Sequence, residues 1–344
     1  MKKIINIAMM VALIVATSNL AMAIGETSTA TSSGGGNKTG TAGSQFLKIP
    51  IGARGSGMSA YSSLANDLSS IYWNPAGLAY QRGLSAEFSY LQWFAGYTHN
   101  FAGVSFGLGN DFTVAAHFTS LTSGDIQVTT TASPEGLSAE YQNSDIDAGL
   151  SFSGFLTEQF SFGITAKYIS NSIYNVSASG FAFDIGTLYD TRFLGIKIGF
   201  SIHNLGSETN FSGQSLRDVK KLYSAMDANP MEVEYISNGY SYPLIFRAGV
   251  SSNVWKQDEH SITAAFDFTT YSDVPEQYGI GAEYTYSDFV SLRAGYLIGQ
   301  DQTGFSAGIG IKYDGPGFIG KFDYAITPTY DLGLVNRFTI GLSL

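Results

Sequence analysis

Cysteine is absent from this 344-residue sequence, which excludes disulfide bonds and thiolate metal sites. Histidine is scarce, and a total of four argues against a metal centre built from imidazole ligands. Beyond its N-terminus the chain also lacks any run of 18 consecutive apolar residues, so it offers no transmembrane helix. We therefore expect no cofactor, and any insertion into a membrane must use β-strands.

The first 23 residues predict a secretory signal peptide. Lys2 and Lys3 precede an apolar core, and Ala-Met-Ala at 21–23 forms a small-residue cleavage site. Without this leader the chain has 16 basic and 28 acidic residues, a net charge of −12, which disfavours binding to nucleic acid. Residues 24–45 are rich in serine, threonine and glycine, and this composition predicts a disordered periplasmic tail.

Glycine, tyrosine and phenylalanine are abundant, with 40, 21 and 24 residues. From Leu84 to the C-terminus the chain is a succession of segments of about 9–12 residues in which apolar and polar side chains alternate, the length that a tilted strand needs to cross an outer membrane. We count about fourteen such segments, and bacterial barrels have an even number of strands. The sequence predicts an all-β fold, one transmembrane antiparallel β-barrel at 84–344.

The alternation also assigns the two faces of each strand. Near the C-terminus, for example, Ile340 and Leu342 alternate with Thr339. A soluble β-sandwich alternates in the same way, so the connections decide between the two folds. Every second connection is short, whereas the long segments 122–142 and 205–242 both belong to the other set. Short periplasmic turns and long outer loops are typical of outer-membrane barrels.

Seven acids and seven bases are predicted to face the barrel lumen. Those that we single out are Asp145, Asp147, Lys167, Arg247, Glu283, Arg293 and Lys312. A pore that selects ions by charge has one dominant sign at its constriction, so the balance of signs favours an interior filled by ion pairs. Asp145 and Asp147 lie on one strand face and suit paired carboxylates or a Ca²⁺ site, but pairing with lumenal lysine or arginine is the simpler interpretation.

A catalytic site is not indicated. His117 and His203 are predicted to face the lumen with serine and asparagine nearby, which permits a hydrolase-like pair, but no spacing or motif supports one. Polar side chains that fill the lumen are the favoured interpretation, and we expect no enzyme.

One long segment, FLKIPIGARGSGMSAYSSLANDLSSIYWNPAGLA at 46–79, does not alternate. Apolar positions between Met58 and Ile71 predict a short helix, and Asn-Pro-Ala-Gly at 74–77 predicts a turn. Ahead of a closed barrel, such a segment is expected to lie inside the barrel or against its periplasmic mouth. We therefore interpret residues 46–83 as a plug.

Three strings within this segment carry a family resemblance: FLKI at 46–49, GAR at 52–54 and YWNPAGLA at 72–79. They resemble the opening of the FadL-type outer-membrane barrels, and most of all the PorV/PorQ group associated with type IX secretion. The resemblance implies a plug followed by the first strand. The plug residues that it marks are Phe46, Arg54, Tyr72, Trp73, Asn74, Pro75 and Gly77.

The same resemblance implies a location and a role. The location is the outer membrane of a Gram-negative bacterium, in contact with outer-membrane lipid. The role is that of a component or shuttle of protein secretion, with secretion-system subunits or secreted proteins as partners. The alternative is a FadL-like passive channel for apolar small molecules.

The long segment 205–242 predicts one further helix. Ser215 is a candidate N-cap, and Leu216, Val219, Leu222 and Tyr223 would share one face. An apolar helical face needs something to cover. The helix could be a lid packed on the rim of the barrel or a docking surface for a ligand or a protein.

Overall fold

The computed structural model describes residues 40–221 and 229–344. The predicted signal peptide and most of the predicted tail lie outside the described residues, as do Leu222 and Tyr223 of the predicted docking helix. No helix in the described ranges is long and apolar enough to cross a bilayer.

Fourteen antiparallel strands form one closed barrel. Each strand pairs with its neighbours in sequence, and the last strand pairs with the first, with Ile340 opposite Phe88. The predicted all-β barrel and its strand count are confirmed. The strands are β1 (Leu84–Gln92), β2 (Thr98–Leu108), β3 (Phe112–Thr122), β4 (Asn143–Thr157), β5 (Phe160–Ile173), β6 (Val176–Asp190), β7 (Lys197–Gly206), β8 (Ile245–Gln257), β9 (His260–Tyr271), β10 (Gln277–Tyr286), β11 (Val290–Ile298), β12 (Phe305–Gly315), β13 (Phe318–Pro328) and β14 (Leu334–Ser343).

The outer surface of the barrel is apolar. Phe322 on β13 and Ile340 on β14 are 43% and 57% exposed, whereas Arg337 and Thr339 on the opposite face are buried. Large exposed side chains of this kind recur on every strand of the ring except β7. A continuous apolar surface of this extent is not stable in water, and it suits the hydrocarbon of a bilayer.

The two ends of the barrel differ. One end has short turns, such as the connection between β4 and β5. The other carries the long loops, which contain two small hairpins: Ile126–Gln127 pairs with Glu140–Tyr141, and Arg217–Lys220 pairs with Met231–Glu234. By the rule that outer loops are long and periplasmic turns short, we call the loop-bearing end the outer mouth.

The prediction of a docking helix after Ser215 is wrong where the structure describes the segment. A short 3-10 helix at Gln214–Leu216 is followed by the strand Arg217–Lys220, whose partner lies at 231–234. Leu216 ends the 3-10 helix and Val219 lies in the strand, so the two do not form the shared face of one helix. Their spacing suits a helix only where a buried surface supports it.

The N-terminal segment crosses the interior of the barrel from the outer mouth to the turn end. At the outer mouth, the backbone N–H of Gly43 donates to Ser241 C=O at 3.0 Å. At the turn end, the Tyr80 ring lies 5.1 Å from the Phe155 ring. The prediction of a periplasmic tail is therefore wrong for residues 40–45, because sequence order gives no direction of passage through the barrel.

The plug is built from short elements: the 3-10 helix Gln45–Lys48, α1 (Ala53–Met58), α2 (Ser70–Trp73) and the 3-10 helix Pro75–Tyr80. The predicted helix between Met58 and Ile71 is wrong. Ser59 has φ of +56° and ends α1. Asp267 on β9 then accepts the N–H groups of Tyr61 and Ser62 at 2.7 and 2.8 Å, so this carboxylate replaces the helical acceptors.

Candidate functional site

The lower part of the plug is anchored to the wall by a chain of charges. Both ends of the Arg54 guanidinium bind Glu283, with Nε–Oε2 at 2.9 Å and Nη2–Oε1 at 2.7 Å. Glu283 also accepts from Arg293 Nε at 2.6 Å, and Arg293 Nη1 donates to Asp323 at 2.5 Å. These groups are largely buried, so removing one member leaves an uncompensated charge.

The predicted turn residues also tie the plug to the wall. Asn74 Oδ1 accepts from Ala76 N–H at 3.1 Å, and its Nδ2 donates to Thr187 C=O on β6 at 3.1 Å. Pro75 begins the last 3-10 helix. A Cβ at Gly77 would lie 2.2 Å from the Ala65 carbonyl oxygen, so only glycine fits there.

Tyr72 and Trp73 pack against Arg247 on β8. The Arg247 guanidinium lies 4.4 Å from the Tyr72 ring centroid and donates to Tyr72 C=O at 2.8 Å. The Tyr72 hydroxyl donates to Lys48 C=O at 2.8 Å, and burial raises the pKa of this phenol. Trp73 Nε1 donates to Ile51 C=O at 2.8 Å. These contacts hold α2 below the segment that contains Lys48.

The remaining predicted lumenal charges have separate partners. Lys167 binds Asp184 at 2.9 Å, Asp147 faces His117 at 3.4 Å, and Asp145 accepts from Asn171 at 2.8 Å. Lys312 binds Asp288 at the turn end, where both side chains contact solvent. The expected pairing of Asp145 and Asp147 with lysine or arginine is wrong. In the described ranges, no cluster of three or more ligating side chains could hold a metal ion.

The structure brings a serine, a histidine and an aspartate together. His203 Nε2 lies 2.9 Å from Ser201 Oγ, and Nδ1 lies 3.3 Å from Asp184 Oδ2. This is the order of a hydrolase triad, but the buried Ser201 hydroxyl also lies 3.2 Å from Trp73 C=O. Asp184 accepts from the N–H of Asn204 at 2.7 Å. The network therefore ties β7 to the plug, with Ser201 closed off by α2.

The outer mouth holds a feature that the prediction of a polar lumen missed. Five inward-facing side chains form a buried apolar ring, which we call the mouth ring: Leu91, Leu121, Ile169, Tyr242 and Val335. Phe46, Leu47 and Ile49 of the plug fill this ring. We call residues 46–49 the hatch. A sequence signal was present, because Leu91, Leu121 and Ile169 continue the lumenal alternation of their strands toward the outer mouth.

One ion pair holds the hatch on its polar side. Lys48 Nζ lies 2.9 and 2.8 Å from the two carboxylate oxygens of Asp273, in the connection between β9 and β10. Gln45 Nε2 donates to the same carboxylate at 2.8 Å. We call the Lys48–Asp273 pair the latch. Gly52, with φ of +79°, separates the hatch from the anchored α1.

Three channels of known structure share this architecture. The toluene transporter TodX of Pseudomonas putida has a TM-score of 0.56 at 12% identity, covering 85% of this chain and 96% of its own. The toluene transporter TbuX of Ralstonia pickettii has a TM-score of 0.52 at 12% identity, covering 85% and 97%. The monoaromatic hydrocarbon channel CymD has a TM-score of 0.54 at 13% identity, covering 86% and 96%.

This chain has the fold of the FadL-like outer-membrane barrels. At such low identity the likeness establishes the fold alone. No protein-family model and no curated protein matches the chain in sequence. Of the predicted docking residues that the structure describes, Leu216 is half-buried on the outer loop and Val219 is 66% exposed.

Proposed function

We propose that this protein is a passive conduit that admits apolar small molecules across the outer membrane, with the hatch as its gate. The observation that carries the proposal is the mouth ring. A ring of buried apolar side chains at the entrance of the lumen suits an apolar ligand. Its present occupants are three side chains of the chain itself, Phe46, Leu47 and Ile49.

Replacing the hatch side chains by a solute in the mouth ring costs little free energy. Each hatch side chain gains about 1.5–3 kcal/mol from burial, and an apolar solute in the same ring recovers a comparable amount. The latch is then the main interaction that opening must break. The Arg54–Glu283 anchor and the Asp267 contacts lie beyond Gly52, so the lower plug stays in place.

The solute cannot easily continue straight downward. The charged side chains of Lys167, Asp184 and Arg247 lie below the mouth ring. An apolar solute that disrupted their interactions could form no hydrogen bonds to replace them. We place its exit in the wall between β6 and β7, where the register shifts between Phe183 and Ile185 beside Asn204. This β-bulge adjoins the mouth ring, whose packing includes Ala182 of β6. The names of the three structural neighbours, which are hydrocarbon or toluene channels, support the same function.

A role in protein secretion has a separate observation in its favour. Apolar side chains are exposed on the long outer loop, among them Val219, Met231 and Ile236, the last of them 89% exposed. Such a surface suits a secreted protein or a secretion-system subunit, the partners implied by the PorV/PorQ resemblance of residues 46–79. The conduit is favoured because the mouth ring and hatch form a complete site, whereas the described positions of the predicted helix face, Leu216 and Val219, do not share one helix.

Uptake of radiolabelled ethylbenzene by cells that produce each variant tests the conduit. Leu91→Asn places an amide in the mouth ring, and we expect uptake to fall by about tenfold, since one lost apolar contact of about 1.4 kcal/mol has that effect. Leu342→Asn makes the same change on the outer face and is the matched control. If cells with Leu91→Asn, cells with Leu342→Asn and cells without the barrel all take up ethylbenzene at the same rate, the proposal is contradicted. The double variant Val219→Ser/Met231→Ser should leave ethylbenzene uptake intact. It should abolish capture of a protein partner only if the protein acts in secretion.

A further inference from the structure

A small cavity with polar and apolar lining residues lies directly beneath the hatch. Its volume is about 20 Å³, which is room for about one water molecule. Phe46, Leu47 and Ile49 form part of its lining, so the hatch side chains that fill the mouth ring also cover this cavity.

Five polar atoms on the lining residues have no hydrogen-bond partner among the described residues. They are His99 Nε2, His117 Nδ1, Thr119 Oγ1, Asp147 Oδ1 and Asn204 Oδ1. Each belongs to a residue that is at most 6% exposed. One such atom costs about 1–3 kcal/mol when it stays unpaired, so five at one cavity require a bound partner. We call this cavity the acceptor chamber.

Most of these atoms accept hydrogen bonds. Asn204 Nδ2 donates to Pro243 C=O at 2.8 Å, which leaves its Oδ1 free. His117 Nε2 faces Asp147 Oδ2 at 3.4 Å, so Nε2 carries the hydrogen and Nδ1 is left as an acceptor. Asp147 Oδ1 is an acceptor by its chemistry. The two cations that line the chamber are engaged, since Lys167 binds Asp184 and Arg247 binds Tyr72 C=O.

We infer that the preferred solute is an apolar molecule with a hydroxyl at one end, an alcohol or a phenol. This inference rests on the proposed function. The apolar body replaces Phe46 and Leu47 in the mouth ring, and the hydroxyl donates into the acceptor chamber, which the same hatch side chains border. A hydrocarbon leaves the acceptors unpaired, and a carboxylate brings a negative charge and further acceptors toward Asp147. An ammonium group donates as well, but its charge is costly to move through the apolar ring.

Equilibrium binding to the purified barrel tests this inference with three probes of matched size: 4-ethylphenol, ethylbenzene and 4-ethylbenzoate. We expect 4-ethylphenol to bind about three- to tenfold more tightly than ethylbenzene, as one hydrogen bond provides, and 4-ethylbenzoate to bind most weakly. If no probe binds, the proposed function itself fails. If ethylbenzene binds as well as 4-ethylphenol, or 4-ethylbenzoate binds most tightly, the conduit stands and the hydroxyl inference is overturned.

Variants locate the effect at the acceptor chamber. Thr119→Val removes Oγ1 with little change of shape and should lower the ratio of phenol to hydrocarbon affinity. Ser251→Ala removes another buried, unpartnered hydroxyl that does not line the chamber, and should leave the ratio unchanged. His99→Phe is the second chamber variant if Thr119→Val fails to fold, as judged by heat-dependent gel migration. A ratio that neither chamber variant changes overturns the inference.

Discussion

Arg54 of the plug and Glu283 of β10 form a two-point ion pair inside the barrel, with Nη2 and Oε1 2.7 Å apart. The plug has two parts, which meet at Gly52. Below Gly52 the plug is fixed by buried charges and by backbone N–H groups bound to Asp267. Above Gly52 the hatch is held by apolar packing, by the latch and by the hydrogen bond from the Tyr72 hydroxyl to Lys48 C=O. A gate needs both properties, because its moving part must be attached to a part that does not move.

The anchor should contribute strongly to stability. We expect Arg54→Ala to lower the free energy of unfolding by about 3–5 kcal/mol, because Glu283 would keep a buried charge with one partner fewer. Lys312→Ala removes an ion pair at the solvent-exposed turn end and should cost less than about 1 kcal/mol. Urea unfolding of the barrel in lipid vesicles measures both. Similar losses for the two variants would show that the Arg54 pair does not anchor the plug.

The two faces of the wall should respond differently to arginine. Phe322→Arg places the charge in hydrocarbon and should cost about 2–4 kcal/mol if the residue lies near the bilayer midplane. Phe322→Leu is the control and should cost much less. Folding into lipid measures these costs, and tolerance of arginine at Phe322 would contradict the assignment of faces.

Arginine on the inner face should act through the plug. Thr339 Oγ1 accepts from Ala53 N–H at 2.9 Å, so the lumen at this height is filled. We expect Thr339→Arg to displace α1 and to raise permeability to small hydrophilic solutes, which Phe322→Arg should not do. Conductance of single barrels in planar bilayers separates the two effects. Unchanged conductance in Thr339→Arg would mean that the plug does not block the lumen.

The proposed exit can be closed with a disulfide. Phe183 and Leu205 are paired across β6 and β7 beside the bulge, and antiparallel partners have Cα atoms about 4.5–5.5 Å apart, within disulfide range. The sequence has no other cysteine to interfere. In the double variant F183C/L205C, oxidation should reduce ethylbenzene uptake and reduction should restore it. The pair F322C/I340C, across β13 and β14, is the control, and equal inhibition by both disulfides would exclude this exit.

The alternation predicts most of the barrel. Apolar and polar side chains alternate in every strand that has lipid on one side and a filled lumen on the other. The number of strands and the face on which each residue lies can therefore be predicted from the sequence. The apolar mouth ring was readable too, because Leu91 and Ile169 lie on the lumenal side of the alternation. They were missed because a polar lumen was expected along the full strand length.

Long-range contacts explain what could not be predicted. The segment after Met58 is not helical because Asp267, some 200 residues later in the chain, accepts its N–H groups. The outer loop forms a hairpin because residues 231–234 supply a partner strand. The hatch lies at the outer mouth because Asp273 binds Lys48 there and Ser241 binds the preceding residue Gly43. None of these partners can be recognised from the local pattern of the segment that it binds.

The latch gives the most direct test of the central claim that the hatch gates apolar uptake. Asp273→Asn removes the charge that holds Lys48, and a charge-assisted hydrogen bond contributes about 1.5–3 kcal/mol, so opening should become about tenfold more frequent or more. The measurement is the initial rate of ethylbenzene uptake at equal barrel abundance, with Lys312→Ala as the matched loss of an ion pair. The account predicts a faster rate in Asp273→Asn and an unchanged rate in Lys312→Ala. An unchanged or slower rate in Asp273→Asn would contradict it.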